Sequence, residues 1–97
     1  MWYVYILKCA DRTFYTGITM DITRRVEEHN SSVLGAKYTR GRRPVRLVYS
    51  RIMKNQSLAA REEYGIKKMS RLEKIKMIRN GKYKSPQPPF VKGGKKI

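Results

Sequence analysis

Five residues of this chain combine reactive side chains with a spacing that can bring them together. Tyr5 and Tyr15 stand ten apart, which allows them to lie side by side on the adjacent strands of a hairpin. Arg25 and His29 stand four apart and would point the same way from one helix. Glu63 adds a carboxylate from a later segment. These groups supply a proton acceptor, cations for a phosphate and a ligand for a divalent metal, a set that predicts hydrolysis of phosphodiester bonds.

The chain of 97 residues has a formal net charge of +16, and that charge is unevenly distributed. Residues 1–36 balance four basic residues with four acidic ones, whereas residues 37–54 carry seven basic residues and no acidic one. Residues 66–97 carry eleven basic residues against Glu73 alone. Such a distribution is typical of proteins that bind phosphate backbones, so we expect a nucleic-acid partner, with DNA favoured. The alternatives are a well-solvated surface or an anionic membrane, although no amphipathic lipid-binding helix is evident.

The remaining composition narrows the class of protein. No apolar run approaches the roughly 18 residues of a membrane span, and the first residues enter a strand pattern without a signal-peptide profile. We therefore expect a cytoplasmic protein with no membrane partner. Cys9 is the only cysteine, so no internal disulfide and no zinc site are indicated. We predict one domain over residues 1–80 and a basic, disordered tail over residues 81–97, where proline, glycine and lysine leave no repeating apolar face.

Apolar periodicity predicts three strands and three helices. In chain order these are strands over 2–8 and 13–19, a helix over 21–29, a strand over 45–52, and helices over 58–69 and 71–78. Asp21, Ser57 and Ser70 are expected to cap the three helices. Residues 30–44 are predicted to form a loop that can hold one helical turn. The order β-β-α-β-α-α predicts an α+β fold, a small three-stranded antiparallel sheet flanked by helices.

The residues that could do chemistry also carry a family resemblance. Val4-Tyr5-Ile6 and Tyr15-Thr16-Gly17 resemble the two halves of the signature of the GIY-YIG nuclease superfamily. Residues 18–30 match the helix that follows this signature, and residues 57–64 are similar to the helix that carries the metal-binding glutamate. The resemblance covers about residues 2–78. It is closest to small stand-alone bacterial members related to the nuclease domain of the repair protein UvrC.

Two departures from the family pattern bear on activity. Val4 stands where the signature has a glycine, and the supporting asparagine of many members is absent from the region around Lys74. Lys74 or Ser70 is a candidate to replace that asparagine.

The resemblance implies a metal-dependent endonuclease that hydrolyses phosphodiester bonds in DNA, in repair or recombination intermediates. It implies Mg²⁺ or Mn²⁺, weakly bound through Glu63, with Tyr5 as the base and Tyr15 orienting the phosphate or water. The alternative is a nucleic-acid-binding module with weak or no cleavage activity. We expect no separate recognition domain, and we therefore expect a protein partner to supply specificity.

Each catalytic candidate competes with a simpler role. The tyrosines could be core aromatics with satisfied hydroxyls, and a lone histidine is usually structural. As a base, Tyr5 requires a depressed pKa, which we expect Arg25 and His29 to provide. Gly17 is expected to allow a close backbone approach, although a bulge or turn would also select glycine.

Neighbouring residues offer alternatives for two of the candidates. Arg24 is rotated about 100° from Arg25 on the predicted helix and is expected to contact phosphate or solvent. Glu62 falls among the apolar positions of its helix and Glu63 at their margin, which favours Glu63 as the metal ligand.

A second set of residues is predicted to bind nucleic acid through charge and stacking. The basic loop over residues 35–43 contributes most of them, with Tyr38 available to stack on a base; a merely solvated loop is the alternative. The predicted nucleic-acid-binding residues are Arg24, Lys37, Tyr38, Arg40, Arg42, Arg43, Lys67 and Lys74.

Overall fold

A computed structural model describes residues 1–80, which form three strands and four helices. In chain order these are β1 (Trp2–Lys8), β2 (Phe14–Thr19), α1 (Ile22–Ser31), α2 (Lys37–Arg40), β3 (Arg46–Met53), α3 (Gln56–Lys67) and α4 (Arg71–Asn80). The predicted α+β fold is confirmed, and α2 is the one helical turn that residues 30–44 were predicted to hold. The predicted disordered tail lies outside the described residues. None of the helices within residues 1–80 is long and apolar enough to cross a membrane.

The sheet is antiparallel, with β1 in the centre and the strand order β2-β1-β3. Four consecutive residues of β1 are buried, because helices cover both faces of the sheet at this strand. In the β1–β2 register, Tyr5 lies opposite Gly17 and Leu7 lies opposite Tyr15. The two tyrosines are therefore diagonal neighbours, which brings their side chains close on one face.

Alternation along β1 divides the core into two clusters. Tyr5 and Leu7 pack with Ile22 of α1 on one face of the sheet. Val4 and Ile6 point to the other face, where they pack with Ile66 of α3 and with side chains of α4. This division places the Tyr5 ring on the α1 side of the sheet.

Side-chain caps fix where the three longer helices begin. The Asp21 carboxylate accepts from the Arg24 amide at 3.1 Å, as predicted. Ser70 accepts from the Glu73 amide at 3.1 Å, and the Glu73 carboxylate accepts from the Ser70 amide at 2.9 Å, which completes a capping box. The prediction for α3 was wrong, because Asn55 rather than Ser57 caps this helix by accepting from the Leu58 amide at 2.9 Å.

The loop between α1 and β3 is fastened to the end of α1. The Arg43 guanidinium donates to the carbonyls of His29 and Ser32, at 2.6 Å each. At Gly35, an added Cβ would lie 2.6 Å from the Glu28 carbonyl oxygen and 2.8 Å from the His29 Cα, so no side chain fits there. The loop thus packs directly against the backbone of α1, and this contact holds α2 beside the sheet.

Replacement of Arg43 tests this anchoring role. Arg43→Gln removes charged hydrogen bonds to two backbone carbonyls and should lower the free energy of unfolding by about 1.5–3 kcal/mol. The control is Arg40→Gln, which removes the same charge from an exposed side chain and should change the value by less than about 0.5 kcal/mol. Urea unfolding at neutral pH measures the free energy of unfolding of both variants. Equal stability of the two variants would contradict the anchoring role.

Candidate active site

The Tyr5 side chain lies at the centre of the candidate site and is only 1% exposed. Its hydroxyl lies 2.9 Å from Nε2 of His29. Opposite Tyr5, a Cβ added at Gly17 would lie 2.6 Å from this hydroxyl oxygen and 3.2 Å from the Tyr15 ring. The backbone at Gly17 has an ordinary φ, so glycine is required here for space rather than for a turn or bulge. The predicted close approach is therefore that of the Tyr5 phenol to the β2 backbone.

His29 is fully buried, and both of its ring nitrogens have partners. Nδ1 lies 3.3 Å from the Ala36 amide nitrogen and 2.9 Å from the Thr39 hydroxyl. With the ring proton on Nε2, His29 accepts from the Ala36 N–H and donates to the Tyr5 oxygen; with the proton on Nδ1, it donates to the Thr39 hydroxyl and accepts the Tyr5 O–H. The Thr39 hydroxyl, also fully buried, lies 2.9 Å from the Ala36 carbonyl oxygen.

Burial, with a smaller contribution from the nearby Arg25 charge, lowers the pKa of His29 to about 4. The ring is therefore neutral at neutral pH. Sequence reasoning missed Thr39 as its partner, because nothing in the pattern of the basic loop distinguishes a buried threonine from its exposed neighbours.

An aromatic series runs from this buried pair toward solvent. The Tyr15 ring centroid lies 6.4 Å from that of Tyr5, 5.1 Å from His29 and 5.8 Å from Tyr38. Tyr38 is the most exposed of these rings, and the Arg42 guanidinium lies 4.0 Å from its centroid. Tyr38, the predicted base-stacking residue, is thus already stacked on Tyr15 and flanked by a cation.

Arg25 lies beside the tyrosine pair, inward as its helical position predicted. Its Nη1 donates to the Glu28 carboxylate at 2.7 Å and to the Leu34 carbonyl at 2.8 Å. Arg24 bonds to the other Glu28 oxygen at 3.2 Å but is 70% exposed, against 28% for Arg25. Glu28, which sequence reasoning did not select, therefore fixes both arginines, and its hydrogen bond to Arg25 holds its own pKa below the usual value.

The pKa of Tyr5 differs from our expectation. Burial raises it far above its ordinary value, and the charges of Tyr15 and Glu63 act in the same direction. The Arg25 guanidinium lowers it, but by less than burial raises it. His29 adds no positive charge because its ring is neutral. The phenol is therefore protonated at neutral pH, and the predicted depression of its pKa by Arg25 and His29 does not hold in the free protein.

The two adjacent glutamates of α3 point to different partners. Glu63 is 23% exposed, pairs with Lys67 at 3.1 Å and affects the pKa of Tyr5, so its carboxylate lies within electrostatic reach of that hydroxyl. Glu62 pairs with Arg51 of β3 at 3.3 Å, which accounts for its place among apolar positions. Of the two carboxylates, Glu63 is the one that affects the Tyr5 hydroxyl.

Glu63 is the one candidate metal ligand among the predicted catalytic residues. Within residues 1–80, no group of three or more His, Cys, Asp or Glu side chains could hold an ion. A single carboxylate fits Mg²⁺ or Mn²⁺, because Mg²⁺ keeps several waters and takes further oxygens from substrate phosphates. A tightly chelated ion such as structural zinc does not fit this arrangement.

The predicted nucleic-acid-binding cations divide into exposed and engaged groups. Lys37 and Arg40 are exposed on α2, next to Tyr38. Arg42 bonds to Asp11 at 3.0 Å and to the Tyr38 carbonyl at 2.8 Å. The donors of Arg43 are turned inward to the α1 carbonyls, so its role in the described structure is to hold the loop.

The two proposed substitutes for the family asparagine also lie on or beside α4. Ser70 is occupied as the cap of this helix. The half-buried Lys74 forms no side-chain hydrogen bond or ion pair within residues 1–80. Neither contact pattern connects these residues to Tyr5.

Comparison with known proteins gives a consistent assignment. Residues 1–76 match the GIY-YIG catalytic domain. A UPF0213 protein from Desulfotalea psychrophila is 53% identical over 78 residues, which is 80% of this chain and 71% of its own. A UPF0213 protein from Halobacterium salinarum is 51% identical over 74 residues, 76% of this chain and 95% of its own.

A solved structure agrees with this result. The solution NMR structure of a UPF0213 protein from Bacillus halodurans is 41% identical, has a TM-score of 0.55, and is matched over 98% of this chain and 96% of that one. The resemblance carried by the tyrosine motifs is therefore confirmed, and the chain belongs to the GIY-YIG family, together with the UPF0213 proteins.

Proposed function

We propose that this protein is a metal-dependent endonuclease that hydrolyses phosphodiester bonds in DNA, in repair or recombination intermediates. The observation that carries the proposal is the convergence of Tyr5, Tyr15, Arg25 and His29 from three elements, with the Glu63 carboxylate of α3 within electrostatic reach of the Tyr5 hydroxyl. GIY-YIG domains form a nuclease superfamily, and the names of the UPF0213 relatives specify no activity.

The Tyr5 phenolate is the proposed proton acceptor, and the phenol's own proton is released to water as the substrate and cation bind. The His29 tautomer with its proton on Nε2 can donate to the phenolate oxygen, and Arg25 lies beside it, so both interactions favour the phenolate once it forms. A divalent cation at Glu63, Mg²⁺ or Mn²⁺, would supply positive charge for the phosphate and offset the effect of the Glu63 carboxylate on Tyr5. Burial outweighs the effect of Arg25 alone, so Tyr5 stays protonated until the cation and substrate are bound.

Arg25 and Tyr15 are proposed to position the scissile phosphate. One Arg25 nitrogen is held by Glu28 and the Leu34 carbonyl, and the guanidinium also interacts with the Tyr5 hydroxyl, so a phosphate bound to Arg25 would lie next to that hydroxyl. The half-buried Tyr15 ring lies between Tyr5 and the exposed Tyr38, where its hydroxyl can orient phosphate or water. Lys37 and Arg40 would neutralise neighbouring phosphates.

A second candidate function is a nucleic-acid-binding module with weak or no cleavage. Two observations favour it: burial raises the pKa of Tyr5, and Lys67 occupies the carboxylate of Glu63. A protein partner that supplies specificity is compatible with both functions. We expect either activity to be located in the cytoplasm.

The choice of carboxylate is tested by substitution at two adjacent positions. Glu63→Gln keeps the size of the side chain but removes the charge that would attract the cation, so cleavage should fall by about 100-fold or more. Glu62→Gln is the matched control and should leave cleavage within about 3-fold, because it removes only a partly exposed ion pair.

The assay uses nicked, flapped and branched DNA with Mg²⁺ or Mn²⁺, and EDTA as the blank. Cleavage that survives Glu63→Gln and is lost in Glu62→Gln would show that the carboxylate assignment is wrong. Wild-type protein that binds all three substrates and cuts none would establish the binding-module function instead.

The neutral His29 ring makes the fold sensitive to acid. The unfolded chain has a histidine pKa of about 6.5, whereas the folded value is about 4. The stabilisation from the neutral ring is complete above pH 6.5 and is lost as the pH falls toward 4. Linkage predicts that unfolding becomes easier by about 2 kcal/mol between pH 7 and pH 5.

Urea titrations at pH 7, 6 and 5 measure this dependence. His29→Gln, which lacks the titrating ring, should be less stable at pH 7 and nearly independent of pH over the same interval. A wild-type free energy of unfolding that is constant from pH 7 to pH 5 would contradict the buried neutral ring.

A further inference from the structure

Two like charges face each other across the sheet without compensation. Lys8 of β1 and Arg46 of β3 are directly paired in the strand register. Directly opposite positions bring Cβ atoms to about 5 Å, and like charges placed there destabilise the pair. Within residues 1–80, neither side chain forms an ion pair or a hydrogen bond. An anionic ligand would relieve this repulsion.

These two residues line a cleft between the sheet and α4, hereafter the α4 cleft. Its volume is about 370 Å³, and Arg71 and Arg79 of α4 face Lys8 and Arg46 across it. No acidic residue lines the α4 cleft. Arg71 is held by the Arg12 carbonyl at 2.8 Å, and Arg79 forms no ion pair within the described part of the chain. Four cations therefore surround a space of nucleotide size.

The lining between the four cations is apolar. It consists of the Phe14 ring and the aliphatic side chains of Val48, Ile75 and Ile78. The Arg71 guanidinium lies over the Phe14 ring, 4.9 Å from its centroid. An aromatic ring with a guanidinium over it and further cations beside it matches the chemistry of an unpaired base with its phosphates. Inorganic phosphate would use the cations alone and leave the apolar lining in water.

The basic surface continues past the end of the sheet. A second depression, of about 430 Å³, shares Lys8 and Arg46 with the α4 cleft and adds Arg12 from the hairpin turn. The cations are thus spread along the surface and not gathered at one point, as the repeated phosphates of a nucleic-acid strand require.

The α4 cleft is adjacent to the candidate active site across one strand. Phe14 and Tyr15 are consecutive in β2, an edge strand, so their side chains point to opposite faces and their Cα atoms are about 3.8 Å apart. A nucleic-acid strand that leaves Tyr15 over the β2 edge therefore reaches Phe14 on the opposite face.

We propose that the α4 cleft binds a single-stranded nucleic-acid segment, with phosphates on Lys8, Arg46 and Arg79 and a base on Phe14. This inference rests on the proposed function for its substrate, and it specifies the class: DNA with an unpaired segment beside the bond that is cut. Paired duplex does not satisfy the apolar lining, because its bases expose no free face.

Two double variants of equal charge test the α4 cleft. Arg46→Gln with Arg79→Gln removes two cations from it. Lys54→Gln with Lys76→Gln removes two exposed cations that do not line it, one beyond the far end of β3. Binding of the full-length chain to the single strand dT12 and to a 12-bp duplex is measured in EDTA by fluorescence anisotropy at several salt concentrations.

The variant with Arg46→Gln and Arg79→Gln should bind dT12 about 10-fold more weakly. The slope of its log affinity against log salt concentration should decrease in magnitude by about 1.4, or about 0.7 for each lost phosphate contact. The control variant with Lys54→Gln and Lys76→Gln should lose no more than about 2-fold in affinity for either probe. Phe14→Leu, which leaves the charge unchanged, should weaken dT12 binding about 5-fold and leave duplex binding unchanged. Thermal unfolding by circular dichroism verifies that every variant is folded.

Equal losses in the two double variants, or equal losses for single strand and duplex, would overturn the proposal. These outcomes are independent of catalysis, because EDTA is present throughout. A separate Mg²⁺ cleavage assay then distinguishes the two claims. If the cleft variant selectively loses dT12 binding and the wild type cuts nothing, the nuclease function is refuted and the cleft proposal is supported. If the wild type cuts DNA and the binding losses are equal, the nuclease function is supported and the cleft proposal is refuted.

Discussion

The hydrogen bond between Tyr5 and His29 is the constraint on which the rest of the domain depends. It joins the central strand to α1 at 2.9 Å in a region closed to water, so both partners require complete satisfaction of their polar atoms. The Tyr5 phenol has space only because residue 17 is glycine. His29 is satisfied only because the following loop folds back to place Ala36 and Thr39 on its other nitrogen. The loop conformation is therefore part of the site.

This arrangement makes the same residues part of the core and of the candidate chemistry. Burial holds His29 neutral and Tyr5 protonated, which stabilises the folded chain but opposes the phenolate that a base requires. The charges that would favour the phenolate, Arg25 and the cation proposed at Glu63, lie at the periphery. Under the proposed function, the site would stay inactive until phosphate and metal bind, which would limit unproductive cleavage by a protein of such high net charge.

Sequence reasoning succeeded where the information is local. The strand alternation, the Asp21 and Ser70 caps and the helical spacing of Arg25 and His29 were all predicted from near neighbours, and the tyrosine motifs identified the family. It failed where a contact joins distant segments. Arg43 resembled another phosphate-binding cation, but it caps α1, and the Arg51 partner of Glu62 lies eleven residues away on β3. The pKa of Tyr5 was misjudged because burial depends on the complete fold.

The protonation state of His29 tests this account most directly, and the chain has only one histidine, so its signals are unambiguous. Long-range ¹⁵N–¹H NMR spectra of the imidazole, recorded from pH 7.5 to pH 5, report the tautomer and the charge of the ring. We predict one neutral tautomer throughout this interval. A ring that titrates with a midpoint near 6.5 would contradict the buried, neutral His29.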